Sequence, residues 1–371
     1  MNGCLNDIGC VLQCIGMRIF AGHDGGSGCC WYRMTVPLTE LARHEGYEVT
    51  FRSGGNEPGN RPITLAEMRE HDVIIGQRFN HYKGMGTWRQ ARGPFSRLVY
   101  EIDDDVFSVT PENWQAYHVY SRLDVREAVM HQAQVSDLVT VTTEHLARVM
   151  REHTGNENVV ALPNFIPAWV LDLERRPRAR PAVGWAGGAS HGSDVGLIVG
   201  PVRRFLTRFP DWDFQLGGTD FSETFLNPTG RARKPYAMRH RVLHTPWIPV
   251  FEQPREYYET ADFDIGLAPL SGTEFDLSKS CVKVLEYAAR GIPSIATDCE
   301  VYRGFIRHGE NGFLVKRDHE WLKYLSLLAG DEELRLKMGD AARQEARRWT
   351  IERNWRLWAG AYSSLFQSAR V

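Results

Sequence analysis

The sequence predicts an α/β protein made of two Rossmann-like, doubly wound domains that follow one another in the chain. Three observations carry this expectation. Strand-like and helix-like runs alternate from Met17 onward, the pattern of a parallel sheet covered on both faces. The alternation restarts near Ala182 with the same opening, a strand and then a glycine-rich turn. Between the halves lies LERRPRARP, Leu173–Pro181, where two prolines and four arginines in nine residues favour neither a strand nor a helix interior.

In the first half, Arg18–Ala21 reads as a strand, His23–Gly28 (HDGGSG) as a turn and Tyr32–Glu45 as an amphipathic helix. Strands are expected at Tyr47–Arg52, Asp72–Gly76, Arg97–Ile102, Leu138–Thr142 and Val159–Leu162, with helices over Trp114–Gln134 and Glu144–Glu152. In the second half, Ala182–Trp185 opens on AGGASHGSD and a helix over Val195–Phe209. Phe214–Gly217, Val242–Thr245, Ile265–Ala268, Ser294–Thr297 and Phe313–Val315 supply strands, and Glu320–Ala329, Glu332–Trp349 and Ile351–Phe366 supply helices. The expected division is a loosely ordered extension over 1–16, a first domain over 17–172, a linker over 173–181, a second domain over 182–350 and a closing helix over 351–371. The first 16 residues lack the basic start and long apolar core of a signal peptide.

Composition narrows the function classes. A chain of 371 residues with 43% hydrophobic and 24% charged residues is that of a globular protein with more than one core. A net charge of −2 gives no global attraction to nucleic acid or an anionic membrane. No apolar run approaches the roughly 20 residues that cross a bilayer. Seven cysteines without a CxxC pair suit a reduced, cytoplasmic protein better than a disulfide scaffold or a metal cage.

The most informative stretch is Phe275–Ala296, FDLSKSCVKVLEYAARGIPSIA. Val282, Leu285 and Ala289 recur at helical spacing, and Lys279, Lys283, Glu286 and Arg290 share another face. Ser278 is the expected N-cap and Gly291 the expected C-terminal stop, with Pro293 barring continuation. Lys279 then lies beside a helix N-terminus, where dipole and amides favour phosphate, and Glu286 lies where ribose hydroxyls can donate to it. A solvated face stitched by Glu286 and Arg290 is the alternative.

Other motifs leave similar choices open. The turns around Gly25, Gly26, Ser27 and Gly28, and around Gly187, Gly188 and His191, either bring backbone amides to a ligand or simply join strand to helix. Neither turn is GxGxxG, and His23–Gly28 lacks the P-loop ending. Asp103, Asp104 and Asp105 follow a strand; Asp103-x-Asp105 is a metal-binding spacing, and orienting or deprotonating an acceptor hydroxyl is the preferred reading. Trp247 either faces a nucleobase, with Ile248 bonding through its backbone, or belongs to the core. Arg231, Arg233, Lys234, Arg239 and Arg241 form a basic patch, solvated or able to meet a polyanion.

Taken together, KSCVKVLEYAARGIPSIA, HGENGFLV (His308–Val315), LRLKMGDAARQEARRWT, YEIDDDVF, VTVTTEHLARVM and LPNFIP resemble nucleotide-sugar glycosyltransferases of the GT-B architecture, most closely family 4, the group 1 transferases. The resemblance runs from Met17 to Phe366. It implies a nucleoside-diphosphate sugar held mainly by the second domain, a hydroxyl acceptor held mainly by the first, and retaining, hexosyl-type transfer in the intervening cleft with no cofactor or metal required. The acceptor class stays open between glycan, protein, small molecule and modified nucleobase. By position Glu286 matches the family's ribose-binding glutamate, and the last helix returns to the first domain.

Two departures stand out. Ser278 occupies the place of the family's first glutamate, so sugar contact passes to Asp276, Glu274 or backbone. The arginine-lysine diphosphate clamp falls near Trp185 and His191, so Lys279 and Lys283, helped by His191, carry the phosphate charge. The expected roles are therefore Lys279 and one of Asp103–Asp105 in catalysis, with Gly187, Gly188, His191, Trp247, Ile248, Ser278, Lys283 and Glu286 on the donor and Gly25–Gly28 on the acceptor. The departures also motivate two alternatives, a sugar-nucleotide-binding protein without transfer activity and a transferase acting on a polyanion such as modified DNA.

Overall fold

The computed structural model describes residues 16–23, 25–53, 63–80, 85–227 and 236–367. The expected extension, apart from Gly16, and Arg231, Arg233 and Lys234 of the basic patch lie outside these residues. The chain forms two compact units, one of 1–109, 118–165 and 351–371 and one of 110–117 and 166–350.

The first unit is built on β1 (Met17–His23), β2 (Tyr47–Ser53), β3 (Val73–Gln77), β4 (Arg97–Glu101), β5 (Leu138–Val141) and β6 (Val159–Ala161), in the order β2-β1-β3-β4-β5-β6. Every pairing is parallel. Strands of this kind are buried on both faces and read as apolar runs, which is why Val73–Gln77 is buried throughout. The order reverses between β1 and β3, so their carboxyl ends flank the position where doubly wound sheets bind ligands.

Arg33 ties this unit together. It lies in a π-helical turn, Trp31–Thr35, inside the helical run that follows β1. Fully buried, it donates to both oxygens of Glu101 at 2.7 and 3.1 Å, to Asn164 Oδ1 at 2.9 Å, and to the carbonyls of Val141 and Leu162. The Trp358 ring of the C-terminal helix, Ile351–Ser364, lies 4.9 Å from its guanidinium. One side chain thus joins the carboxyl ends of β4 and β5, the segment after β6 and the closing helix.

The second unit carries β7 (Ala182–Gly187), β8 (Asp213–Gly218), β9 (Val242–Pro246), β10 (Ile265–Ala268), β11 (Ser294–Thr297) and β12 (Gly312–Val315). They are parallel in the order β12-β11-β10-β7-β8-β9, with the reversal between β7 and β10. The core packs Trp185, Phe205, Phe214, Trp321 and Met338 between sheet and helices. Each fully buried side chain of this size contributes roughly 1.5–3 kcal/mol.

Several expectations change. Leu173–Pro181 counts with the second unit. Its arginines are paired rather than merely solvated, although Arg176 stays exposed: Arg175 pairs with Asp264 at 2.8 Å, Arg176 with Glu259 at 2.5 Å, and Arg178 donates to Gln215 at 2.7 Å and Arg180 to Asp213 at 3.0 Å. The helix expected over Trp114–Gln134 breaks into Trp114–Tyr120 and Leu123–Val135, because Arg122 adopts an extended conformation. Ser278 is not the N-cap of the lysine-bearing helix. It ends a short helix, Glu274–Leu277, that Thr273 and Asp276 nucleate through a capping box. The next helix begins at Val282 and stops, as expected, before Gly291 in the left-handed conformation.

Candidate functional site

In the second unit the expected donor residues gather at the carboxyl ends of β7, β8 and β9. Gly187 ends β7, and a Cβ there would sit 2.7 Å from the Trp185 ring and 2.9 Å from Lys283 Nζ. Gly218 ends β8 with φ of 91°, and a Cβ there would meet the Gly187 carbonyl at 2.4 Å. Only glycine lets these backbones approach so closely. Gly188 follows with open space around it. Trp247, just past β9, is half exposed and meets Tyr257 edge-on at 6.2 Å, so it is a surface platform and not core. Ile248 beside it is half-buried.

The charged face of the Val282–Ala289 helix is not merely solvated. Lys283 lies 4.7 Å over the Trp185 ring and donates to the Ala186 carbonyl. Burial brings its ammonium down to about 8, against the attraction of Glu286 and Asp194. Glu286 accepts a 2.9 Å hydrogen bond from the Tyr257 hydroxyl, while Arg290 turns away to the Glu174 carbonyl at 3.0 Å.

Lys279 precedes this helix, in the connection after Ser278. Its ammonium lies 2.8 Å from Asp276 Oδ1 and 3.7 Å from Asp194 Oδ2. Asp276 also accepts from Ser271 Oγ and from the amides of Gly272 and Thr273, so its carboxylate is committed to its own loop. Asp194 accepts from the Ser271 amide at 2.7 Å and from His191 Nδ1 at 2.7 Å. Burial, with Lys283 and Lys279 adding to it, brings the His191 imidazole down to about 4 despite Asp194, so it is neutral near pH 7. Ser278 is fully buried, and Glu274 is exposed. Asp194, Gly218 and Tyr257 escaped the sequence reading. Asp194 sits three residues after His191, a helical spacing that offers a signal; Gly218 and Tyr257 are brought in from distant segments and offer none.

In the first unit, Asp103 and Asp104 meet a cation the sequence did not announce. Arg78, just past β3 and at φ of 49°, donates to Asp103 at 2.6 Å, to Asp104 at 2.5 Å and to Cys29 Sγ at 3.2 Å. Although burial opposes its charge, the carboxylates hold Arg78 firmly protonated. Cys29 Sγ and one oxygen each of Asp103 and Asp104 lie within 4.8 Å of one another, with this guanidinium bonded to all three residues. Asp105 points elsewhere. It accepts from the amides of Phe107 and Ser108 and from the Ser108 hydroxyl, fixing the following turn, so Asp103 and Asp105 do not act as a pair. Across the switch point, the Gly25 amide bonds His23 Nδ1, Gly26 lies in a bend, and Ser27 caps the helical run from Gly28 by accepting from the Cys30 amide.

Known proteins match this architecture. Residues 181–330 match the family described as Glycosyl transferases group 1. Over 94% of this chain and 100% of the other, the fold matches Anabaena HepE, crystallised with UDP-glucose, at TM-score 0.67 and 16% identity. Sucrose-phosphate synthase from Thermosynechococcus elongatus matches at TM-score 0.65 and 14% identity, over 95% of this chain and 100% of the other. S. aureus TarM matches at TM-score 0.58 and 14% identity, over 80% of this chain, which spans only 58% of the TarM chain. Among curated proteins no sequence match is found. Residues 181–330 of the second unit are thus similar to the glycosyl transferases group 1, and the chain as a whole has the GT-B fold of two Rossmann-like units.

Proposed function

We propose that the protein transfers a hexose-type sugar from a nucleoside diphosphate to an acceptor hydroxyl, with retention of configuration and without a required metal. The observation that carries this reading is the cluster of Lys279, Lys283 and His191 around the Gly187–Gly188 turn, with Glu286 one helical turn beyond Lys283. The two lysines neutralise charge that develops on the leaving diphosphate, a role that fixed cations fill without a metal ion. Glu286, oriented by Tyr257, accepts from the ribose hydroxyls, and Trp247 offers an exposed ring to the base. HepE, captured with UDP-glucose, supports UDP-glucose as the first donor to test.

The first unit holds the acceptor in this reading. Asp104 is the carboxylate suited to orient its hydroxyl, since Asp105 serves a turn and Asp104 retains 30% side-chain exposure. Asp104 is already hydrogen-bonded to Arg78, an arrangement that suits orientation better than deprotonation. Glu274, which is exposed, is the acidic side chain assigned in this reading to contact the transferred sugar. No described helix is long and apolar enough to cross a membrane, and a cytoplasmic location fits the use of a soluble sugar nucleotide.

The test is incubation with UDP-, GDP- and ADP-sugars, with and without chelator. Sugar release or transfer that survives chelation is expected. Tight nucleotide binding with no release of sugar from any donor would instead establish a binding protein, and strict manganese dependence would overturn the metal-free mechanism.

A further inference from the structure

The donor cluster carries the wrong net charge for its proposed ligand. Three carboxylates, Asp194, Asp276 and Glu286, lie among two ammonium groups, Lys279 and Lys283, and Lys279 is already engaged with two of those carboxylates. A diphosphate entering this group as it stands would face more anion than cation.

His191 is the residue able to correct this. It ends the Ala189–His191 turn and leads into the 17-residue helix Gly192–Arg208. Facing it are Asp194 from that helix, Lys279 from the connection after Ser278, and Lys283 from the Val282–Ala289 helix. Asp276 and Glu286 stand behind the two lysines, and the Trp185 ring meets the imidazole edge-on at 6.1 Å. The 2.7 Å contact with Asp194 settles the tautomer, because a carboxylate accepts and Nδ1 must therefore donate. The neutral ring then presents Nε2 as a lone pair, which repels a phosphate oxygen. Adding a proton at Nε2 turns that lone pair into a donor and adds one positive charge, while Asp194 stabilises the imidazolium from the other side.

We propose that His191, held by Asp194, gains a proton at Nε2 when the diphosphate of a sugar nucleotide binds, so that donor binding takes up a proton and the imidazolium becomes the third cation on the phosphates. The inference rests on the donor reading of this site. Lys283, with a value of about 8, is mostly cationic at pH 7 already, so the uptake at that pH belongs mainly to His191.

The test is calorimetric titration of the full chain with UDP, GDP and ADP at pH 7, in PIPES and in Tris, whose ionisation heats differ widely. The expected result is buffer-dependent binding heat corresponding to roughly half to one proton taken up per nucleotide. His191→Gln should abolish the uptake and weaken binding about tenfold, by loss of one charge-assisted hydrogen bond. Nucleotide binding with buffer-independent heat overturns the inference and leaves the donor reading standing. Uptake that persists in His191→Gln also overturns it, and moves the proton to Lys283. Failure of all three nucleotides to bind removes the donor reading itself, and the inference with it.

Discussion

The ammonium of Lys279 lies 2.8 Å from Asp276 Oδ1, and that carboxylate is held in turn by the hydroxyl of Ser271 and the amides of Gly272 and Thr273. Lys279 is therefore a positioned cation, fixed before any ligand arrives, and a positioned charge needs no reorganisation in the transition state. Lys279→Ala is expected to lower turnover with a nucleotide-sugar donor by on the order of 100-fold. Steady-state kinetics checks this, and unchanged turnover would remove Lys279 from the mechanism.

Lys283 gives the site a pH limit. Burial brings it to about 8, and the useful form is the cation, present below that value and lost above it. The ratio kcat/KM for the donor, which reports the free protein, should fall as pH rises through about 8. Lys283→Arg keeps its charge at every accessible pH, so its profile should lack this limb. A limb of the same midpoint in the variant would assign the titration to another group.

Glu286 and Tyr257 form a 2.9 Å hydrogen bond that aims the carboxylate. Glu286→Gln should raise the donor KM about tenfold, equivalent to about 1.4 kcal/mol, with a smaller effect on kcat. Tyr257→Phe should give a weaker version of the same change. Identical donor KM in all three proteins would detach Glu286 from the ribose.

Trp247 is half exposed, so removing it costs little packing. Trp247→Ala should weaken nucleotide binding roughly three- to tenfold, the worth of one aromatic contact of about 0.5–1.5 kcal/mol. Its thermal midpoint should stay close to that of the parent. A large drop in midpoint with unchanged binding would return Trp247 to a purely structural role.

Arg33 and Glu101 make the opposite case, a buried pair far more important to folding than to binding. Both side chains are fully buried, and burial pushes the Glu101 carboxyl up even though Arg33 and Thr140 hold its charged form. Glu101→Gln leaves Arg33 without its counter-charge and should cost about 3–5 kcal/mol of stability. Urea unfolding at neutral pH measures this as a lower midpoint with an unchanged slope; a loss below about 1 kcal/mol would mean that water reaches the guanidinium.

Much of this protein is legible in the order of its residues. All the expected strands appear among the described residues, because a strand buried on both faces must be a short apolar run, as Val73–Gln77 and Ile265–Ala268 are. The helix from Val282 and its stop at Gly291 were equally readable, since helical spacing and a left-handed glycine are local properties. The local signals misled at Ser278. A capping box that begins five residues upstream, at Thr273, captured the backbone first, and nothing at Ser278 itself records that competition.

By itself the sequence determined the two α/β units, their parallel strands and the face carrying Lys283 and Glu286, all consequences of periodicity and turn chemistry within some ten residues. The tertiary structure alone decided what those charges meet. Asp194 reaches Lys279 and Ser271 across some eighty residues, Arg78 meets Asp103 and Asp104 from the neighbouring strand end, and Arg33 finds Glu101 beneath the closing helix. The physical reason is one of range. Hydrophobic periodicity is a property of neighbours along the chain, whereas the partner of a buried charge is chosen by strand order, which the chain sets only when its sheets assemble.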